Sequence, residues 1–169
     1  MKKKNIILIG FMGVGKGTVA RALVSQSDWF AIDTDDLIES QENKKIKKIF
    51  KSEGEAHFRA LEQKCAHWLE KSVDHSIIST GGGFYKIPNL KKIGKVIYLR
   101  SSFEGILNRI NSAPNAKSKL RKRPLLQNME EAKKLFDQRV PQYESVADVI
   151  VDVENRDIND IVADIMKEM

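Results

Sequence analysis

The residues most able to do chemistry come early, in Gly10-Phe11-Met12-Gly13-Val14-Gly15-Lys16-Gly17-Thr18. Glycine at the first and sixth positions, followed by lysine, is the spacing of a phosphate-binding P-loop when a strand precedes it and a helix follows. Ile6-Ile7-Leu8-Ile9 reads as the strand and Val19-Ala20-Arg21-Ala22-Leu23-Val24 as the helix. Glycines let backbone N–H groups converge on a polyphosphate with no Cβ in the way. The helix N-terminus adds partial positive charge, and Lys16 adds a full one at the β- and γ-phosphates. Gly13, Val14, Gly15, Lys16, Gly17 and Thr18 are therefore the candidate residues around a nucleoside triphosphate. A plain glycine turn would not need Lys16.

One position departs from the pattern. The residue after the lysine is ordinarily Ser or Thr, whose hydroxyl meets Mg²⁺. Here it is Gly17, with Thr18 one place later. Thr18, a carboxylate elsewhere or water must then help to hold the metal. Gly-Lys-Gly-Thr also occurs in adenylate kinases, so the site survives the departure. Asp33-Thr34-Asp35 follows the second apolar run, and two carboxylates beside a P-loop suit Mg²⁺ and an acceptor hydroxyl. An N-cap for a helix over 36–42 explains one aspartate but not both.

Later candidates are less explicit. Arg59 has Glu55 four residues before it and Glu62 three after, within a helix expected over 53–71 whose buried stripe is Phe58, Leu61, Cys65 and Trp68. On spacing alone this is an ion-pair ladder, worth about 0.2–0.5 kcal/mol per pair. Gly81-Gly82-Gly83 costs conformational entropy, so something must approach the backbone closely there. Residues 111–123 carry little apolar content and end in a basic run, as lids often do. Arg139 lies just before Pro141, which should kink or end a helix over 129–144. His57, His67 and His75 have no metal-ligand partners in the sequence.

These residues need a scaffold. Short apolar runs at 6–9, 30–32, 76–79, 96–99 and 149–151 alternate with helical patterns. That alternation implies an α/β fold with a five-stranded parallel sheet and helices on both faces, ligands lying at the carboxyl ends of the strands. Ser101-x-x-Glu104 should cap a helix reaching about residue 110, and a last helix runs from about Asp157. The chain has 169 residues, 41% hydrophobic and 31% charged, enough for a single domain over 1–169. No apolar run approaches the ~20 residues a membrane span needs. Lys2-Lys3-Lys4 and the following apolar stretch mimic a signal peptide, but Lys16 interrupts it. The single Cys65 fits a reducing cytoplasm. The net charge of +6 suits small anionic substrates, and no aromatic RNA-binding signature accompanies it.

Taken in order, the motifs resemble shikimate kinase from Ile6 to about Asp157: the P-loop, Asp33-x-Asp35, Gly54-Glu55 with Phe58-Arg59 and Glu62, Gly81-Gly82-Gly83, Arg123-Pro124-Leu125-Leu126, and Arg139-x-Pro141-x-Tyr143. The resemblance implies a three-layer α/β/α fold like that of nucleoside monophosphate kinases, with strand order 2-3-1-4-5. It implies transfer of the ATP γ-phosphoryl to the 3-hydroxyl of shikimate, in aromatic amino acid biosynthesis. Asp35 would then be the base and Asp33 would hold Mg²⁺ through water. Arg59 and Arg139 would clamp the shikimate carboxylate, which reverses the plainer reading of Arg59. Gly81, Gly82 and Gly83 would line the acceptor site, and a shikimate-binding segment would run over about 33–62. Arg123 would close on the phosphates from the lid, and Arg109 would neighbour adenine. The family often places a proline against the other adenine face, and residues 155–158 have none.

Two other readings are weighed. A nucleoside monophosphate kinase accounts for Gly17-Thr18 but gives no reason for Arg59 and Arg139 beside an Asp-x-Asp pair. A P-loop GTPase switch should carry Asn-Lys-x-Asp, and Asn43-Lys44 is followed by Lys45-Ile46. With no obvious exposed apolar stripe, a monomer is expected, without nucleic-acid or membrane partners.

Overall fold

A computed structural model describes residues 3–121 and 124–169. The run Ile6–Ile9 is strand β1, buried at every position, as a parallel strand covered on both faces must be. Strands β2 (Phe30–Asp33), β3 (Ser76–Ser79), β4 (Lys95–Arg100) and β5 (Val149–Asp152) join it. All pair in parallel, in the order β2-β3-β1-β4-β5. The chain moves from β1 to one side and returns to the other, so β3 and β4 both flank β1. That reversal opens a crevice at the carboxyl ends of the strands, where ligands bind in open parallel sheets.

The helices are α1 (Lys16–Ser25), α2 (Thr34–Glu42), α3 (Ile46–Glu53), α4 (Glu55–Ser72), α5 (Leu90–Ile93), α6 (Phe103–Asn111), α7 (Ala116–Arg121), α8 (Met129–Val146) and α9 (Ile158–Met166). Helix α1 packs on α9 and β3, and α8 packs on β4. The sheet's apolar residues and these helices share one core that includes Phe11, Leu23, Leu69, Tyr98, Phe136 and Val162. A smaller cluster of Ile38, Ile49 and Phe58 ties α2, α3 and α4 together.

Several local expectations change. The expected helix over 53–71 is two helices, because Gly54 takes φ 86° and ψ 171°, outside the helical region and open mainly to glycine. The buried stripe of α4 is Phe58, Glu62, Ala66 and Leu69, while Trp68 is 45% exposed. The stripe is thus rotated by one residue from an all-apolar reading and draws a carboxylate inside. The cap of α6 is Ser102, whose Oγ accepts from Gly105 N at 3.0 Å, rather than Ser101. The segment over 111–123 is not structureless: it contains α7, with no buried residue. Pro141 lies inside α8, which continues to Val146. A helix packed against the sheet can tolerate the hydrogen bond that proline removes.

Candidate active site

The P-loop is built by the turn between β1 and α1. Gly13 and Gly15 take φ 84° and 110°, conformations that residues with a Cβ rarely adopt. Space is short as well: a Cβ on Gly13 would stand 2.5 Å from Ile110 Cδ1. Val14 is buried beneath the turn. Helix α1 begins with neither a side-chain cap nor an acidic residue in its first turn, so its positive end is not neutralised from within the helix. Lys16 folds back along the loop, and its Nζ donates to Gly10 O at 2.6 Å and Phe11 O at 3.1 Å. Gly17 lies in the first turn of α1 with ordinary helical geometry. Thr18 Oγ1 accepts from Arg109 Nη2 at 3.0 Å and from Arg21 Nη2 at 3.4 Å.

Asp33 and Asp35 divide their tasks. Asp33 Oδ1 accepts from Asp35 N at 2.9 Å and Asp36 N at 3.0 Å, making Asp33 the N-cap of α2; Oδ2 takes no part in the cap. Asp35 stands in the first helical turn, and its Oδ1 is buried without a hydrogen-bond partner. Burial pushes its carboxyl up to about 7, with the charges of Asp33 and Glu62 adding to the rise and Lys16 opposing it. A carboxyl in that range can accept a proton near neutral pH, as a general base must.

The three glycines after β3 each face one side chain of the site. A Cβ at Gly81 would lie 2.8 Å from Asp35 Oδ1, and one at Gly82 would lie 3.0 Å from Arg139 Nη1. At Gly83 it would overlap the Arg59 guanidinium. The loop is held from below: Gly81 N donates to Thr34 Oγ1 at 3.3 Å, and Tyr143 Oη donates to Gly82 O at 2.6 Å. Arg59 reaches this place from α4. It donates to Glu62 Oε1 at 2.5 Å and to Glu55 Oε1 at 3.2 Å. Glu62 is 1% exposed and Arg139, from α8, is 6% exposed. Burial raises the Glu62 carboxyl, against the pull of Arg59 and then Arg139. Arg139 Nε is buried without a hydrogen-bond partner. Two guanidinium groups and a carboxylate acceptor thus surround one glycine-walled space, an arrangement matched to a small hydroxylated anion.

On the other flank, Gly15, Thr18 and Arg109 line a cavity of about 400 Å³ together with Asn155, Arg156 and Ile158. Arg109 Nη1 also donates to Gly13 O at 3.2 Å. The cavity is continuous with the P-loop turn and is bounded by the segment 155–158 singled out in the sequence. Arg123 lies outside the described residues.

Three participants escaped the sequence reading. Thr34 and Tyr143 were visible only as parts of motifs, and their hydroxyls carry the glycine loop. Glu62 looked like one rung of a surface ladder; its burial follows from the rotated stripe of α4. The i, i+3 spacing to Arg59 was the available signal, and only packing distinguishes a buried pair from an exposed one.

Among the described residues no group of three or more His, Cys, Asp or Glu forms a metal cluster. Asp33 and Asp35 nevertheless offer hard oxygen donors, one of them buried and unpartnered. That small donor set suits a dication that keeps most of its water and binds chiefly through phosphate oxygens.

Comparison with known proteins converges on one family. A family model described as shikimate kinase matches residues 12–169. The shikimate kinase of Helicobacter hepaticus is 36% identical over 148 residues, covering 88% of this chain and 86% of that protein. A shikimate kinase from Acinetobacter baumannii, solved in complex with shikimate, superposes with a TM-score of 0.79 at 31% identity, over 98% of this chain and 92% of that one. The shikimate kinase of Bacteroides thetaiotaomicron superposes with a TM-score of 0.80 at 26% identity, over 97% of each chain.

Proposed function

The chain belongs to the shikimate kinase family, and from that premise we propose that it transfers the γ-phosphoryl of ATP to the 3-hydroxyl of shikimate. The observation that carries the reading is the convergence of Asp35, Arg139 and Arg59 on Gly81, Gly82 and Gly83 in turn. A base for a hydroxyl and two cations for a carboxylate stand together beside the P-loop.

In this reading Arg59 and Arg139 hold the shikimate carboxylate. That contact fixes the ring, so that the 3-hydroxyl meets Asp35. The hydroxyl oxygen bonds to the γ-phosphorus, the bond from that phosphorus to the β–γ bridging oxygen breaks, and ADP leaves. The hydroxyl proton passes to Asp35. Lys16 leaves the carbonyls of the loop and takes phosphate oxygens instead, lowering repulsion between acceptor and donor. We assign Arg123 to the same phosphates from a lid over 111–123, and Arg109 to the nucleotide's base side. Mg²⁺, when bound, would neutralise charge on the β- and γ-phosphates; Asp33 is the carboxylate we assign to it or its waters. Because both substrates are small water-soluble anions and one chain carries every proposed site residue, we place the enzyme in the cytoplasm as a monomer, without nucleic-acid or membrane partners.

The test is a coupled assay of ADP release with shikimate or with nucleoside monophosphates as acceptor. Shikimate-dependent turnover supports the reading. Turnover with a monophosphate and none with shikimate would overturn it.

A further inference from the structure

The position after Lys16 carries no hydroxyl, and a guanidinium borders the space a side chain would take there. A Cβ on Gly17 would meet Arg21 Nη1 at 3.4 Å and nothing nearer. Arg21 stands four residues further along α1, and helical side chains lean back toward the N-terminus over the preceding turn. Its Nη2 shares Thr18 Oγ1 with Arg109 Nη2, at 3.4 and 3.0 Å. A hydroxyl oxygen accepting from two guanidinium groups has both lone pairs committed. It also sits between two positive charges, which a dication would avoid.

The charge of Arg21 is felt at Arg109. Burial lowers the Arg109 guanidinium first, and the nearby charge of Arg21 lowers it further. The first turn of α1 offers no acidic residue to separate them. Like charges held at the mouth of a phosphate loop are stabilised when an anion comes between them.

We propose that Arg21 is a nucleotide-phosphate ligand: beside Thr18 it grips the non-transferred phosphates and supplies a fixed positive charge on the flank where Gly17 provides no metal contact. The inference rests on the P-loop being the ATP site. It predicts a nucleotide affinity less dependent on Mg²⁺ than a Ser or Thr at position 17 would give.

The test is calorimetric titration of ADP into wild type, Arg21→Ala, Arg21→Gln and Arg21→Lys, each in Mg²⁺ and in excess EDTA. In EDTA, Arg21→Ala should bind roughly 10- to 100-fold more weakly, the range for a hydrogen bond to a charged group. Arg21→Gln keeps a donor for Thr18 without the charge, so it should fall with alanine, whereas a purely structural role would leave it near wild type. Arg21→Lys should recover part of the loss as a point charge. Shikimate titrated into each nucleotide-free variant should bind as to wild type. Arg21→Ala or Arg21→Gln within threefold of wild type in EDTA overturns the proposal. A wild type that binds no ADP at all overturns the P-loop reading with it.

Discussion

Gly81 and Asp35 lie in contact: a Cβ at position 81 would stand 2.8 Å from Asp35 Oδ1 and 3.2 Å from Oδ2. The carboxylate therefore sits where it does because position 81 has no side chain. Gly81→Ala should push Asp35 off the acceptor hydroxyl. A misplacement of about 1 Å can cost on the order of 100-fold in rate, so kcat with shikimate should fall by roughly 10- to 100-fold. ADP affinity, set on the P-loop side, should stay within about threefold. Steady-state kinetics and ADP calorimetry on the one variant check both halves.

The Asp35 carboxyl, pushed up to about 7 by burial and then by Asp33 and Glu62, fixes a pH profile. In its proposed role as base it works only when ionised, so kcat/KM for shikimate should climb about tenfold per pH unit below 7 and level off above. Asp35→Asn should lose nearly all turnover and keep its ADP affinity. Stability carries the opposite sign. Between the ordinary carboxylate value of 3.8 and about 7 the folded chain holds a proton that the unfolded chain has released. Wild type should therefore lose stability as pH rises through that window. The amide of the Asp35→Asn variant never ionises, so that variant's melting temperature should exceed that of wild type by a margin that widens from pH 5 to pH 8. A margin that stays constant would mean that Asp35 has an ordinary carboxylate pKa.

Legibility of the site depended on which kind of signal each residue carried. Gly13, Gly15 and Lys16 were readable because their roles are backbone roles at fixed spacing. The five apolar runs became strands with shifts of a residue or so at their ends, and the strand order followed from the family resemblance. Asp33 and Asp35 were recognisable as a pair, and the structure separates them into a cap and a buried carboxyl with an unpartnered oxygen. Arg59 was misleading on spacing, because an i, i+3 pair looks the same on a wet helix face as in a buried one. Trp68 and Glu62 changed places for a related reason: Phe58 fits stripes drawn through either residue, and the turn at Gly54 and the packing of α2 decide between them.

The P-loop glycines should not be equivalent. Gly15 takes φ 110°, and a Cβ there would stand 2.9 Å from the Arg109 guanidinium, whereas Gly17 is helical and a Cβ there would meet nothing nearer than 3.4 Å. Forcing a Cβ into a left-handed conformation costs about 1–2 kcal/mol, so Gly15→Ala should lower stability by about that much and weaken ADP binding. Gly17→Ser should fold as well as wild type or gain about 0.5 kcal/mol from leaving glycine in a helix, and should keep its activity. Urea unfolding of both variants gives the contrast. Equal destabilisation would remove the distinction between the two positions.

Helix α7 has no buried residue among those described and meets the core only through the partly buried Leu120, so few apolar contacts hold residues 111–121 in place. Such segments open at low free-energy cost. Amide exchange there should be fast in the free enzyme and should slow at least tenfold with an ATP analogue and shikimate bound together, as a closing lid requires. Exchange at the same rate in both states would mean that this segment does not close.

Arg139 separates the shikimate reading from its nearest rival. It is 6% exposed, its Nη1 would lie 3.0 Å from a Cβ at Gly82, and its Nε is buried without a partner. Glu62 lies close enough for Arg139 to lower its carboxyl, yet Glu62 Oε1 is taken by Arg59 at 2.5 Å. An arginine so placed has donors to spend on a second anion. Removing one partner of a buried, hydrogen-bonded charge pair costs about 2–5 kcal/mol. At about 1.4 kcal/mol per tenfold, Arg139→Ala should weaken shikimate binding by a factor of roughly 30 to several thousand. Arg139→Lys restores the charge without the planar fork and should recover only part of it. If Arg139 served only to balance Glu62, both variants would lose thermal stability while shikimate bound within about fivefold of wild type, the most that an exposed pair of ~1 kcal/mol could change. ADP titrated without shikimate should bind all three proteins alike. Calorimetric titration of shikimate, with melting curves on the same samples, distinguishes the two roles. A shift below fivefold in the alanine variant would remove Arg139 from the carboxylate clamp.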